Sequence, residues 1–163
     1  ELDTRYKHGE LYSADSIHFA DSLKFHTLRK NRVVYGGGGI MPDYFVPLDT
    51  MRFTTFHRKL MAKGIVLDND LKFMDSHRKQ LKAKYPQFSA YLEHFTVPQQ
   101  LVDSKKQKIE PKDKAELDRT LVYLRAQLKA LIARDIWDMS QYFQVMNQQS
   151  DIVTKALEVI NRP

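Results

Sequence analysis

The residue types able to do chemistry concentrate in the first fifty positions. Gly36-Gly37-Gly38-Gly39 invites a phosphate cradle, which needs glycine amides aimed at the anion and a Lys with Ser or Thr opening the next helix. Ile40, Met41, Pro42 and Asp43 follow instead. Pro42 breaks a helix and Asp43 repels phosphate, so the run reads as a structural turn or a close backbone approach. His8-Gly9-Glu10 has the His-x-Glu spacing of a zinc deaminase, but that chemistry takes thiolate ligands from a cysteine pair and the chain has no cysteine. The six histidines (His8, His18, His26, His57, His77 and His94) include no pair at helical ligand spacing, and no metal site is expected. Ser13, Ser16 and Ser22 lie among Asp15, Asp21, His18 and His26. Without a Gly-x-Ser-x-Gly elbow, their density explains the juxtaposition.

The second kind of candidate is cationic. Arg58-Lys59, Arg78-Lys79 with Lys82 and Lys84, and Lys105-Lys106 with Lys108 form basic clusters, and Phe73, Tyr85 and Phe88 lie near the middle one. Such a patch suits nucleic acid electrostatically. Acidic protein surfaces and membrane headgroups attract the same lysines. The simpler reading is a solvated helix face, with the aromatics following the apolar period into a core.

The elements that must carry these residues change character near position 50. Residues 1–50 hold six Lys/Arg against seven Asp/Glu, whereas residues 51–163 hold 20 against 13, within a chain of 163 residues and net charge +6. Hydrophobic residues at 42% and charged residues at 28% suit a globular chain that buries a core. Five of the six glycines precede residue 50 and only Gly64 follows, so the rear is the better helix former. In the front, Glu1 to Glu10 reads as a short helix or the end of a longer one. Leu23, Phe25 and Thr27 alternate as a strand, Val33-Val34-Tyr35 make a second, and Tyr44-Phe45-Val46 between Pro42 and Pro47 a third. Three short strands cannot cover two faces. They read as the closing strands of a sheet whose remainder lies outside this sequence, and a start at Glu1 reads as a cut within a longer protein.

Behind them, Phe53, Phe56 and Leu60 set a helical period that ends at Gly64. Leu67, Leu71, Met74, Leu81 and Tyr85 continue it to Pro86, and Phe88, Tyr91, Leu92 and Phe95 predict a helix before Pro98. Residues 103–112 read as a loop or frayed helix. Leu117, Leu121, Leu124, Leu128 and Leu131 place one leucine stripe on a long helix running toward Trp137, opened by Asp113 and Glu116 as a capping box. Ser140 and Ser150 are N-cap candidates for two closing helices. The fold class expected is mainly α: a multi-helix domain over 51–163, preceded by an extended segment over 1–50.

The stretch Asn31-Arg32-Val33-Val34-Tyr35, Gly36 to Gly39, Ile40-Met41-Pro42-Asp43-Tyr44-Phe45-Val46-Pro47-Leu48-Asp49-Thr50 resembles the closing signature of the C-terminal processing peptidases, or tail-specific proteases. There an Arg and a hydrophobic pair lead to Gly-Ile-x-Pro-Asp and another strand. Arg32, Gly36, Gly37, Gly38, Gly39, Ile40, Pro42 and Asp43 are the signature residues carried over. Arg5 to Glu10, Lys24 to Thr27, Leu128 to Arg134 and Asp151 to Leu157 resemble the family's long variant from envelope-bearing bacteria. The resemblance implies peptide-bond hydrolysis by a Ser nucleophile with a Lys base, a PDZ domain that binds substrate C-termini by strand addition, and a periplasmic or envelope location. No Gly precedes a Ser and no Lys stands between glycines here, so no catalytic residue carries over.

The chain therefore reads as the non-catalytic C-terminal portion of a Ser/Lys endopeptidase, without cofactor or metal. Its expected partners are the peptidase's PDZ domain and catalytic core, a second copy or an adaptor protein, and the parent enzyme's protein substrates, with no nucleic acid. The alternatives are a basic helical nucleic-acid-binding module and a small enzyme using the histidines.

Overall fold

The computed structural model describes residues 2–36, 42–49, 52–106, 111–112 and 114–162. They divide into two compact units, residues 1–49 and 50–163. The described residues are mainly helical, with one two-stranded sheet.

In the first unit, α1 spans Leu2–Lys7. Strands β1 (Lys24–His26) and β2 (Val33–Tyr35) pair antiparallel, with Phe25 opposite Val34. Their turn is held by Thr27, whose carbonyl accepts from Asn31 N–H at 3.0 Å and whose Oγ1 accepts from Arg32 N–H at 3.0 Å. Asn31 takes the left-handed conformation at φ 48°, which a short polar side chain tolerates. The third expected strand does not form: Tyr44, Phe45 and Val46 join no ladder. Pro42 and Pro47 flank the segment without N–H donors, and its chain is pinned just beyond them, where Leu48 N–H donates to Leu11 O at 2.8 Å.

In the second unit, α2 spans Thr55–Ala62, α3 Ile65–Lys84, α4 Phe88–His94, α5 Gln99–Lys106, α6 Lys114–Ile136, α7 Met139–Asn147 and α8 Asp151–Ile160. Gly64 separates α2 from α3 at φ 66°, a conformation that a Cβ disfavours. Helix α6 is the axis, packed by α2, α3, α5 and α7. Leu124, Leu128 and Leu131 of its predicted stripe are buried beside Phe56, Leu60 and Met74, while Leu117 and Leu121 are half-buried at its other end.

Three local expectations are narrowed or changed. Leu67 and Leu71 are exposed, whereas Met74, Leu81 and Tyr85 of the expected line are buried, with Val66 and Asp70 completing the buried face of α3; the apolar side chains of α3 are spread over more than one face, so periodicity placed only the later part of the line. Of the stretch 103–112, expected as a loop or frayed helix, the first residues are helical, closing α5, which starts after Pro98, whose carbonyl accepts from Leu101 N–H. Asp138, not Ser140, caps α7, its Oδ1 accepting from Ser140 N–H at 2.6 Å. The cap at Ser150 forms as expected, its Oγ accepting from Val153 N–H.

The capping-box Glu116 is used differently. Asp113 lies outside the described residues, and Glu116 accepts from two backbone donors: Lys112 N–H at 2.6 Å and Phe56 N–H at 3.0 Å. It thereby closes the first turn of α2 from a neighbouring helix. Thr54 caps the same turn by accepting from His57 N–H at 3.1 Å. Thr120 spends its hydroxyl hydrogen on the Glu116 carbonyl at 2.7 Å, so the 2.5 Å contact between Thr54 and Thr120 runs with Thr54 as donor. Farther along, Gln127 directs its amide nitrogen to Met61 Sδ at 3.4 Å, leaving its oxygen to accept from His57 Nε2–H at 2.9 Å. A buried seam of Thr54, His57, Glu116, Thr120 and Gln127 thus fixes the register of α2 on α6.

Candidate functional site

Two places collect the residues singled out by type. The first is the signature corner of the first unit. Arg32 donates from its guanidinium to Asp43 Oδ1, joining two signature residues across the glycine run. Gly36 N–H donates to Leu23 O at 2.7 Å, extending the hairpin by one bond. A Cβ on Gly36 would lie 2.8 Å from Phe25 Cε2, so the close approach of an aromatic ring accounts for glycine there. Gly37, Gly38, Gly39 and Ile40 lie outside the described residues, and Pro42 is exposed. Ser13, Ser16 and Ser22 make no hydrogen bond to a histidine among the described residues; Ser13 caps a short turn, its Oγ accepting from Asp15 N–H. Glu10 of the His-x-Glu pair is held by Arg5 Nε at 2.8 Å. Among the described residues no three His, Asp or Glu side chains gather as a metal site.

The second place is a cleft of about 840 Å³ in the helical unit, between α3 and the α4–α5 corner. One face of α3 forms its first wall: Asn69, Phe73, His77, Leu81 and Lys84 follow at steps of four, four, four and three, which is one stripe of an α-helix. Phe95, Thr96 and Pro98 from the connection before α5, with Gln100 and Leu101 of α5, close the opposite side. Buried Leu81, Tyr85, Phe95 and Leu101 make the floor. The rim is polar and exposed: Lys72, Gln80, Lys84, His94 and Gln100. Among the described residues no carboxylate lines the cleft.

Aromatic rings back the floor. Tyr91 stacks on Phe95 at 4.6 Å, meets Tyr85 edge-on at 5.7 Å, and packs on Trp137 at 5.3 Å. Its hydroxyl donates to Lys129 O at 2.7 Å, tying α4 to α6. Burial, with the nearby charge of Asp70 and then Tyr85, pushes the Tyr91 hydroxyl well above the usual tyrosine range. Lys129 donates from Nζ to Leu92 O at 2.7 Å, and burial draws its ammonium below the usual lysine value. His77 stacks on Phe73 at 4.2 Å; its Nδ1–H donates to the Phe73 carbonyl at 2.9 Å, which fixes the ring against the wall.

The basic clusters separate on folding. Arg58 is spent on its own helix start, donating to Phe53 O at 3.0 Å and Thr55 Oγ1 at 3.2 Å. Arg78 donates to the Asp135 carbonyl in the last turn of α6, where a cation also meets the negative helix end. Lys79 and Lys82 are exposed. Phe88 packs on Trp137 at 5.5 Å, while Phe73 and Tyr85 line the cleft. Lys108 lies outside the described residues.

Sequence reasoning had no hold on Asp70, which is fully buried with Arg134 Nη2 at 3.9 Å. A hydrogen bond and ion pair with Asp135, then the charge of Asp70, raise the Arg134 guanidinium further above its already high value, against the opposing effect of burial. Asp70 stands four residues from both Val66 and Met74 on the buried face of α3; a charge at a core position of the period is the signal that was available.

The chain belongs to a family of unknown function, DUF8443, whose model matches residues 56–138, just over half of its length. The matched span opens on α2 and closes at the cap of α7, so it contains most of the buried seam and every residue lining the cleft. No curated protein and no solved structure matches the chain.

Proposed function

We propose that this chain is the non-catalytic rear portion of a Ser/Lys endopeptidase that acts on protein C-termini in the periplasm or cell envelope, its first unit completing the peptidase sheet and its helical unit serving interaction. The observation carrying this reading is the state of the hairpin. Among the described residues of 1–49 no side chain is buried, and Phe25, Val33, Val34 and Tyr35 are all exposed on it. A two-stranded ribbon with apolar side chains in water is marginal by itself; packing against a larger sheet supplies the missing burial. The signature residues Arg32, Gly36 and Asp43 make local bonds that shape this edge. For the helical unit, support comes from α8, whose Ile152, Leu157 and Ile160 are exposed, an apolar presentation suited to a partner.

Complementation tests the proposal. A C-terminal processing peptidase core deprived of its closing strands, mixed with this chain, regains cleavage of an unfolded protein substrate. The chain carrying Arg32→Ala and Gly36→Val does not restore it. Cleavage by the chain alone, an inactive mixture, or equal rescue by the double variant refutes the reading.

A further inference from the structure

The α3–α5 cleft combines three features that nothing in the peptidase reading uses. Its size lies within the range of small-molecule sites. Its floor is apolar and buried, built by Leu81, Tyr85, Phe95 and Leu101. Its rim carries Lys72 and Lys84, with no carboxylate among the described lining residues, and His94, whose Nε2 lies 3.6 Å from Glu93 Oε2. Lys84 Nζ stands 5.4 Å from the Tyr85 ring centroid, so one rim cation lies directly beside the floor.

We propose that this cleft is a binding site for an amphipathic organic anion: an apolar tail laid on the Leu81–Tyr85–Phe95–Leu101 floor and one carboxylate or similar head at Lys84, with Lys72 about 18 Å away along α3 adding only to the positive field. Charge complementarity selects the anion, because no described residue lining the cleft is acidic and the carboxylate of Glu93 beside its rim faces His94. The floor selects a tail over a bare inorganic anion, since apolar area leaves water only when a tail covers it. Gln80, one turn before Lys84 on α3, supplies a neutral hydrogen-bonding group beside the head. The inference concerns the helical unit alone and stands whether or not the peptidase reading holds.

The test is calorimetric titration of the whole chain with decanoate, below its micelle concentration, beside decanol and decyltrimethylammonium. Decanoate binds saturably at one site, and the other two bind at least about tenfold more weakly. Lys72→Gln with Lys84→Gln weakens decanoate about fivefold, as expected for one partly solvated contact at Lys84 with a second rim charge removed. The pair Lys59→Gln with Lys79→Gln, exposed residues outside the cleft, makes the same change in net charge and leaves binding within about twofold. Far-ultraviolet circular dichroism and Trp137 emission verify that both variants fold. Absence of saturable decanoate binding, equal affinity for decanol, or equal loss in both lysine pairs overturns the proposal. So does displacement of decanoate by a single-stranded oligonucleotide at equal efficiency in the wild type and the Lys72/Lys84 variant.

Discussion

Replacing Glu116 by Ala removes a single side chain but opens the helical unit at two points. The carboxylate is buried and accepts from Phe56 N–H at 3.0 Å and Lys112 N–H at 2.6 Å. Phe56 is itself buried, so its N–H is left without that acceptor in a site water does not reach. A hydrogen bond to a charged group contributes about 1.5–3 kcal/mol, and an orphaned buried donor costs about 1–3 kcal/mol. The Lys112 contact is only partly buried and adds less. Together these give a loss of about 3 kcal/mol, or about 6–12 °C in Tm for a chain of this size. Glu116→Gln keeps one carbonyl oxygen for Phe56 but gives up charge and the second acceptor, for about 1–1.5 kcal/mol. Trp137 is the only tryptophan and packs on Phe88 and Tyr91 within the helical unit, so its emission during urea unfolding follows this unit alone. Equal losses for Ala and Gln, or less than about 0.5 kcal/mol for Ala, would refute the view that this carboxylate caps α2 across the seam.

Backbone geometry, burial and ionisation in the same unit set three more outcomes. Gly64→Ala costs about 1 kcal/mol in urea unfolding, because its φ of 66° disfavours a Cβ; no atom lies within 4 Å of that Cβ, so the cost is conformational and Gly64→Asn recovers part of it. Leu71→Lys shifts stability by less than about 0.5 kcal/mol because Leu71 is exposed, whereas Met74→Ala, fully buried, costs about 2–5 kcal/mol. Tyr91 binds its proton more tightly folded than unfolded; that stabilisation is whole below about pH 10, the unfolded value, and is lost as pH rises beyond it. Tyrosinate absorbance from residue 91 therefore emerges with unfolding, and Tyr91→Phe makes stability fall less steeply above about pH 10.

Helix positions were readable where one apolar stripe dominated. The α6 leucines step by four and three, and three of the five are buried. Gly64 and Pro86 punctuate the chain where the helices end. The two strands were readable from alternation in the first and from the β-branched and aromatic residues of the second, but their pairing into a hairpin came from the structure. Reading failed where a residue's partner is distant in sequence. Glu116 looks like half of a local box, yet one of its oxygens serves a turn 60 residues away. Arg78 looks like part of a basic patch, yet its guanidinium closes the end of α6. Asp138 took the capping role expected of Ser140 because its side chain reaches Ser140 N–H from the extended backbone entering α7.

Composition and spacing were enough for a mainly helical rear, a glycine-bearing extended front and the absence of thiol chemistry, since these depend on residue type and local period. Which lysines share a hollow, which aromatic rings floor it and which acid is driven inside depended on helices meeting through side chains. The cleft exists because α5 returns beside the Phe73–His77 stripe of α3, which borders the buried line of Val66, Asp70 and Met74 and merges with it at Leu81. A helical period specifies a stripe, but only the neighbour that covers the stripe specifies which one is buried, and that neighbour lies tens of residues further along the chain.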